Sequence, residues 1–245
     1  MEKISVTIIT RNEEQNIERC LESLRWADEI VVLDSHSDDR TAELCRRYTD
    51  RVYQENWNGY GRQKNLCAER ASHRWVLNVD ADEAVSPACA EEIRNELNKG
   101  PSRPVYAIPR KNFFGDRWVR HAGWYPDRIA RFYDKTRVSF TEPLVHEKLY
   151  PDGNMGFLQH PLLHFSYQGM DDYITRQNRY STLYAQEQLK KGRVANWADL
   201  CFRPPLAFLK SFVLQQGFRE GHLGLFLAAS SAFYTYLKYA KTRSV

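Results

Sequence analysis

The chain has 245 residues, enough to bury a full core as one large domain or two small ones. Its formal charge of +4 comes from Lys and Arg spread along the sequence rather than blocked together, which argues against a nucleic-acid surface and favours acidic small substrates or anionic lipid. Five cysteines, odd in number and without a Cys-x-x-Cys pair, argue against a disulfide framework or a thiolate zinc site and fit a reducing cytosol.

Ile4 to Thr10 reads as a first strand, too short before Arg11 for a signal-peptide core. Asn12 is placed to cap a helix whose Ile17, Leu21 and Leu24 recur on one face. Glu29 to Asp34 forms the second strand, Ser37-Asp38-Asp39 opens a second helix, and Arg51 to Tyr53 makes a short third strand. A helix from about Gly61 to Ala71 precedes a fourth strand, Trp75 to Val79. Ser86-Pro87 and Gly100 punctuate a helix between them, with cap, first-turn proline and terminal glycine. This alternation predicts an α/β fold with a mostly parallel sheet covered by helices.

From Pro101 the pattern changes. Val105 to Ile108, Arg128 to Tyr133 and Leu162 to Phe165 read as strands separated by long aromatic and basic loops, and loops of that length usually carry function. Beyond Gly169 the chain reads as helical: one helix capped by Asp171 and running to Lys191, then two more after Pro204-Pro205 and near Gly221. No stretch reaches the ~18 to 20 uninterrupted apolar residues of a membrane span. The expected division is 1–168, in two halves at 1–100 and 101–168, followed by a helical extension at 169–245.

Four polar loops follow the four N-terminal strands, and in a parallel sheet they meet in one crevice. They are Thr10-Arg11-Asn12-Glu13, Asp34 to Asp39, Arg62 to Asn65, and Asp80-Ala81-Asp82. None has the glycine spacing of a dinucleotide site or a P-loop, so phosphate contact falls to a metal and to basic side chains. Asp80 and Asp82 suit Mg2+ or Mn2+ held against a diphosphate, although an acidic turn after a strand is also common. Lys64 or Arg62 supplies charge near the same phosphates, or is simply a solvated helix residue. His146 and His164 are candidates to bind diphosphate or complete a metal shell, against the more ordinary structural role of a strand histidine.

Three segments together resemble the family 2 inverting glycosyltransferases of GT-A fold: Ile4 to Glu13, Val31 to Thr41, and Asn78 to Glu83. Pro143-Leu144-Val145-His146-Glu147 and the segment Gly217 to Gly221 are similar to the branch of bacterial glucosyltransferases that build the lipopolysaccharide core. The resemblance implies that Thr10, Arg11, Asn12, Glu13 and Asp34 cradle the nucleoside of a UDP-sugar. Asp80, Ala81 and Asp82 match the family's Asp-x-Asp, the second aspartate closer to the metal. The family's further glutamate–aspartate pair at the acceptor is replaced here by His146-Glu147. Glu147 is the expected general base and Asp127 the second choice, such help being worth roughly 10²- to 10⁴-fold. Trp124, Arg128 and His146 are expected at the acceptor, since aromatic faces suit sugar rings and arginines suit phosphorylated glycans.

The implied activity is metal-assisted, inverting transfer of a hexose, expected to be glucose, from a UDP-sugar to a heptose of a lipopolysaccharide inner core. A sugar nucleotidyltransferase is the first alternative, weakened by the missing Gly-x-Gly-x-Arg loop after the first strand; a non-catalytic membrane-associated scaffold is the second. The apolar and basic C-terminal third suits a membrane surface or a second subunit in a homodimer. The expected place is the cytoplasm, peripheral on the inner face of the cytoplasmic membrane, with no nucleic-acid partner.

Overall fold

The computed structural model describes residues 2–141, 148–149 and 154–243. The chain divides into two compact units, one of residues 1–110 and 127–164, the other of 111–126 and 165–245.

In the first unit, strands β1 (Ile4–Thr10), β2 (Glu29–Asp34), β3 (Val52–Gln54) and β4 (Trp75–Asp80) run parallel in the order β3-β2-β1-β4. The path continues through β8 (Asp127–Asp134), β6 (Val105–Phe114), β10 (Leu162–Tyr167) and β5 (Glu83–Val85), with β4–β8, β8–β6 and β10–β5 antiparallel. Two further two-residue strands, β7 (Arg117–Trp118) and β9 (Gly156–Phe157), pair with β6. The fold is therefore α/β, as expected, with parallel register in the first four strands and between β9 and β6.

Alternation along the parallel strands feeds two cores. Ile4, Val6 and Ile8 of β1, Val32 of β2 and Leu77 and Val79 of β4 join one, with α1 (Ile17–Glu22) and α4 (Pro87–Lys99) packed over it. Ile9, Val31, Leu33 and Val76 face the other, with α3 (Tyr60–Arg70). Burial on both faces explains why these strands read as continuous apolar runs. The ends of α4 follow the sequence: Ser86 Oγ accepts from the Cys89 amide at 3.3 Å, Pro87 starts the helix, and Gly100 leaves it at φ 78°.

Three local expectations are corrected. Asn12 does not cap α1; it sits at φ 55°, and its Oδ1 accepts from the Asp38 amide at 2.9 Å, tying the first loop to the second. A short polar side chain tolerates this left-handed conformation. Helix α2 (Thr41–Cys45) starts later than expected because Asp39 Oδ1 takes the Thr41 amide at 3.0 Å. The segment between Ile108 and Arg128 is not one long loop, since β6 runs to Phe114 and turns into β7.

In the second unit, α5 (Met170–Lys190) follows Gly169 without a side-chain cap, so Asp171 is not the expected cap. Then come α6 (Trp197–Cys201), which sequence reading missed although Asn196 and Asp199 form a capping box, α7 (Arg203–Leu209) and α8 (His222–Ala240). Gly224 lets the start of α8 approach the preceding turn, for a Cβ there would lie 1.8 Å from the Gly217 carbonyl oxygen. Buried Glu220 clasps the 117–121 segment: Oε1 accepts from the Arg120 and His121 amides at 3.0 Å, and Oε2 from Arg117 Nη2 at 2.8 Å.

Candidate active site

Strand register assembles the candidate site at the carboxyl edge of the parallel sheet. Thr10 lies beside Asp34 and Asp34 beside Gln54, while Ile9 lies beside Asp80, so the ends of β1 to β4 finish together. Ligands of open α/β sheets bind at this edge. At the β2 end, buried Asp34 accepts from the Ser37 amide at 3.1 Å and from Gln54 Nε2 at 3.1 Å. Gln63 of α3, also buried, donates to Ser35 Oγ at 2.9 Å. Thr10 Oγ1 and Gln63 Oε1 are buried without a hydrogen-bond partner among the described residues, and buried polar atoms of that kind call for a ligand or water. Arg11 is exposed, whereas the Glu13 amide is held by Thr41 Oγ1 at 2.8 Å and Ala81 is buried.

At the β4 end, the two aspartates have different company. Asp80 meets buried Lys64 of α3, Nζ to Oδ1 at 3.2 Å, and its Oδ2 is taken by Arg131 of β8. Burial pushes the Asp80 carboxyl up, but the charges of Arg131 and Lys64 outweigh it and hold the group well below the usual carboxylate range. Asp82 instead faces His164 of β10, Oδ2 to Nε2 at 3.3 Å. Strand β5 brings them together, because Glu83 pairs in register with His164 and Asp82 immediately precedes it. Asp80 and Asp82 thus have different neighbours: two cations at Asp80 and an imidazole at Asp82.

The Asp82 carboxylate suits Mg2+ or Mn2+, and the His164 imidazole beside it, a softer donor, favours Mn2+ over Mg2+. Adjacent ligands of an octahedral Mg2+ with bonds of about 2.1 Å lie about 3.0 Å apart, close to the 3.3 Å found here. Among the described residues no group of three His, Cys, Asp or Glu side chains forms a ligand cluster. One or two carboxylates completed by substrate phosphates and water are usual for Mg2+.

Behind this edge runs a line of alternating charges, of which sequence reading named Lys64, Asp80 and Asp127 as site residues but not Arg131, Glu83 or Arg110. Lys64 and Arg131 flank Asp80; Arg131 also reaches buried Glu83 Oε1 at 3.3 Å; Arg110 of β6 bridges Glu83 at 3.1 Å and Asp127 Oδ2 at 2.7 Å. Glu83 Oε2 further accepts the Asp80 amide at 3.0 Å, and Arg131 Nη1 donates to Asn78 Oδ1 at 2.8 Å. The signal for Arg131 was present in the sequence: a cation between Ala130 and Phe132, inside an apolar strand pattern, needs buried carboxylates.

Of the other expected residues, Asp127 is held by Arg110 Nε and Nη2, while Arg128 donates to the Leu158 carbonyl at 3.0 Å and lies over the Phe157 ring. Trp124, expected as a sugar platform, packs its ring among Phe114, Tyr167 and Tyr173 in the second unit, at centroid distances of 5.7 to 6.3 Å. His146 and Glu147 lie outside the described residues.

Acid should loosen the first unit through its depressed carboxyls. Burial raises Glu29, Asp80 and Asp134, but hydrogen bonds and cations, among them Ser5 at Glu29 and Arg74 at Asp134, hold each below its ordinary value. Folded pKa values below the unfolded ones give stability that is present above about pH 4 and lost as pH falls further. The melting temperature should be flat from neutrality to about pH 5 and fall steeply below about pH 4; an unchanged midpoint on acidification through that range would contradict these pairings.

Comparison with known proteins places the chain in a family. The family model described as Glycosyl transferase family 2 matches residues 5–156. The chain is 33% identical to the lipopolysaccharide core biosynthesis glycosyltransferase LpsC of Rhizobium meliloti (strain 1021), over 97% of this chain and 91% of that one. It is 27% identical to the uncharacterized glycosyltransferase RT0209 of Rickettsia typhi, over 100% of this chain and 88% of that one. The crystal structure of S. aureus TarS 1-349 superposes with a TM-score of 0.52 at 18% identity, covering 99% of this chain and 89% of that one. The matched region contains β1 to β4, the Asp80-Ala81-Asp82 turn and the Lys64–Asp80–Arg131 contacts, and on that ground this chain belongs to glycosyl transferase family 2.

Proposed function

We infer that the protein is an inverting glycosyltransferase moving a hexose, glucose by preference, from a UDP-sugar to a heptose of a lipopolysaccharide inner core. The observation that carries this reading is the Asp82–His164 pair at the carboxyl end of β4, beside the Lys64–Asp80–Arg131 contacts. The 33% identity to LpsC over nearly the whole chain supports the acceptor class, and TarS, crystallised in complex with UDP-GlcNAc, supports the donor class. Because such an acceptor is a lipid, the reading places the enzyme at the inner face of the cytoplasmic membrane.

In this mechanism the strand-end groups Thr10, Asp34, Gln54 and Gln63 receive the nucleoside, and Lys64 contributes positive charge at the diphosphate. Asp82 and His164 would hold Mg2+ or Mn2+, which neutralises charge on the departing diphosphate when bound. Asp80, fixed by its two cations, keeps the β4 turn in place. The acceptor hydroxyl attacks the anomeric carbon from the side opposite the diphosphate, losing its proton to a carboxylate as the glycosidic bond to UDP breaks. Glu147 is assigned that role from the sequence, with Asp127 as the second candidate.

A donor screen tests the reading: UDP release from UDP-glucose, UDP-galactose and ADP-heptose, with Mg2+ or Mn2+ and a truncated core acceptor, should be acceptor-dependent with UDP-glucose. Release of pyrophosphate from UTP and a sugar phosphate would point to the nucleotidyltransferase instead. Absence of any metal-dependent UDP binding in calorimetry would point to the scaffold.

A further inference from the structure

The second unit carries an apolar stripe that faces outward. Phe202, Leu206, Leu209 and Val213 recur at i, i+4, i+7 and i+11 along α7 and the π-type turn Lys210–Leu214 that extends it. That spacing gathers them on one helix face, the arrangement that normally seeks a core. Here they are 67%, 61%, 50% and 52% exposed, while Ser211 is buried. Leu214 and Phe218 extend the exposed apolar surface, and Trp197 on α6 adds an exposed indole.

Charge identifies what covers this face. From Leu200 to Arg219 the sequence has no acidic residue, whereas Arg203, Lys210 and Arg219 are cationic, and all three are exposed. The acid just before this stretch, Asp199, is already paired with Arg203 Nε at 2.5 Å. A second copy docked by two-fold symmetry would set these cations against their own images with no carboxylate between them. An anionic lipid surface supplies the missing negative charge, with acyl chains for the leucines and a headgroup layer suited to tryptophan.

We propose that the Phe202–Val213 face of α7 and its π-type extension lies in the interface of a bilayer containing anionic lipid, flanked by Lys210 and Arg219 at the headgroups. Among the described residues no helix is long and apolar enough to cross a membrane, so this contact is in-plane rather than spanning. The binding is electrostatic and apolar together; either alone is weak.

Flotation of the full chain with vesicles tests this in the absence of donor and acceptor, so failure here and failure of the glycosyl-transfer reading are separate results. The protein should float with phosphatidylcholine–phosphatidylglycerol vesicles and not with phosphatidylcholine alone, and added salt should release it. The double variant Lys210→Glu and Arg219→Glu should weaken partitioning roughly tenfold or more, since each basic side chain near such a surface contributes about 1 kcal/mol. The triple variant Leu206→Gln, Leu209→Gln and Val213→Gln should abolish flotation while keeping the wild-type melting temperature, because the replaced side chains are exposed. Equal flotation with neutral vesicles, or flotation unaffected by both variants, would overturn the proposal. So would a wild-type dimer in sedimentation velocity that the triple variant converts to monomer without any vesicle binding, which would give the face to a second copy.

Discussion

Asp82→Asn is expected to lower glycosyl transfer by roughly 10²- to 10³-fold, the equivalent of the several kcal/mol of transition-state charge stabilisation a bound cation provides at the leaving diphosphate. The loss should appear in kcat, because the interaction strengthens as the diphosphate departs. His164→Ala should behave differently: it keeps the carboxylate but removes the imidazole 3.3 Å away, so more Mn2+ should be needed to reach half-maximal rate. The measurement is UDP release against metal concentration for wild type and both variants. Transfer by Asp82→Asn at the wild-type rate and with the same metal dependence would remove the pair from the mechanism.

Arg131→Met is expected to destabilise the first unit by about 3 to 5 kcal/mol, the usual cost of breaking a buried ion network from one side. In a chain of this size that lowers the melting temperature by roughly 10 °C. The cause is specific. Arg131 is buried and contacts Asp80, Glu83 and Asn78, so its removal leaves the buried Glu83 carboxylate with fewer cations and frees the Asp80 side of the β4 turn. Arg131→Lys keeps the charge without the planar fork and should recover part of the loss. A melting temperature within about 2 °C of wild type for Arg131→Met, read by circular dichroism, would show that the network adds little to stability.

The two variants separate residues the sequence revealed from residues it concealed. Asp80 and Asp82 were legible because they stand at the end of an apolar run, where polar residues signal a strand terminus. Glu83 and Arg110 were not, since neither carries a local motif. They matter because β5 and β6 meet the antiparallel half of the sheet, and no spacing along the chain encodes that pairing. The ring neighbours of Trp124 were not legible either: two of them, Tyr167 and Tyr173, are distant in sequence.

Local physics determined the four parallel strands, the caps of α4, the Asp-x-Asp turn and, through the motifs of the first hundred residues, membership of glycosyl transferase family 2. Those features rest on periodicity and turn chemistry over a few residues, which a sequence displays directly. Tertiary structure alone decided that the two aspartates part company, Asp80 to Lys64 and Arg131, Asp82 to His164, and that the α7 stripe stays uncovered. The reason in each case is long-range pairing. Electrostatic partners 51 and 82 positions away, and the solvent exposure of a helix face, depend on which surfaces the folded chain brings together.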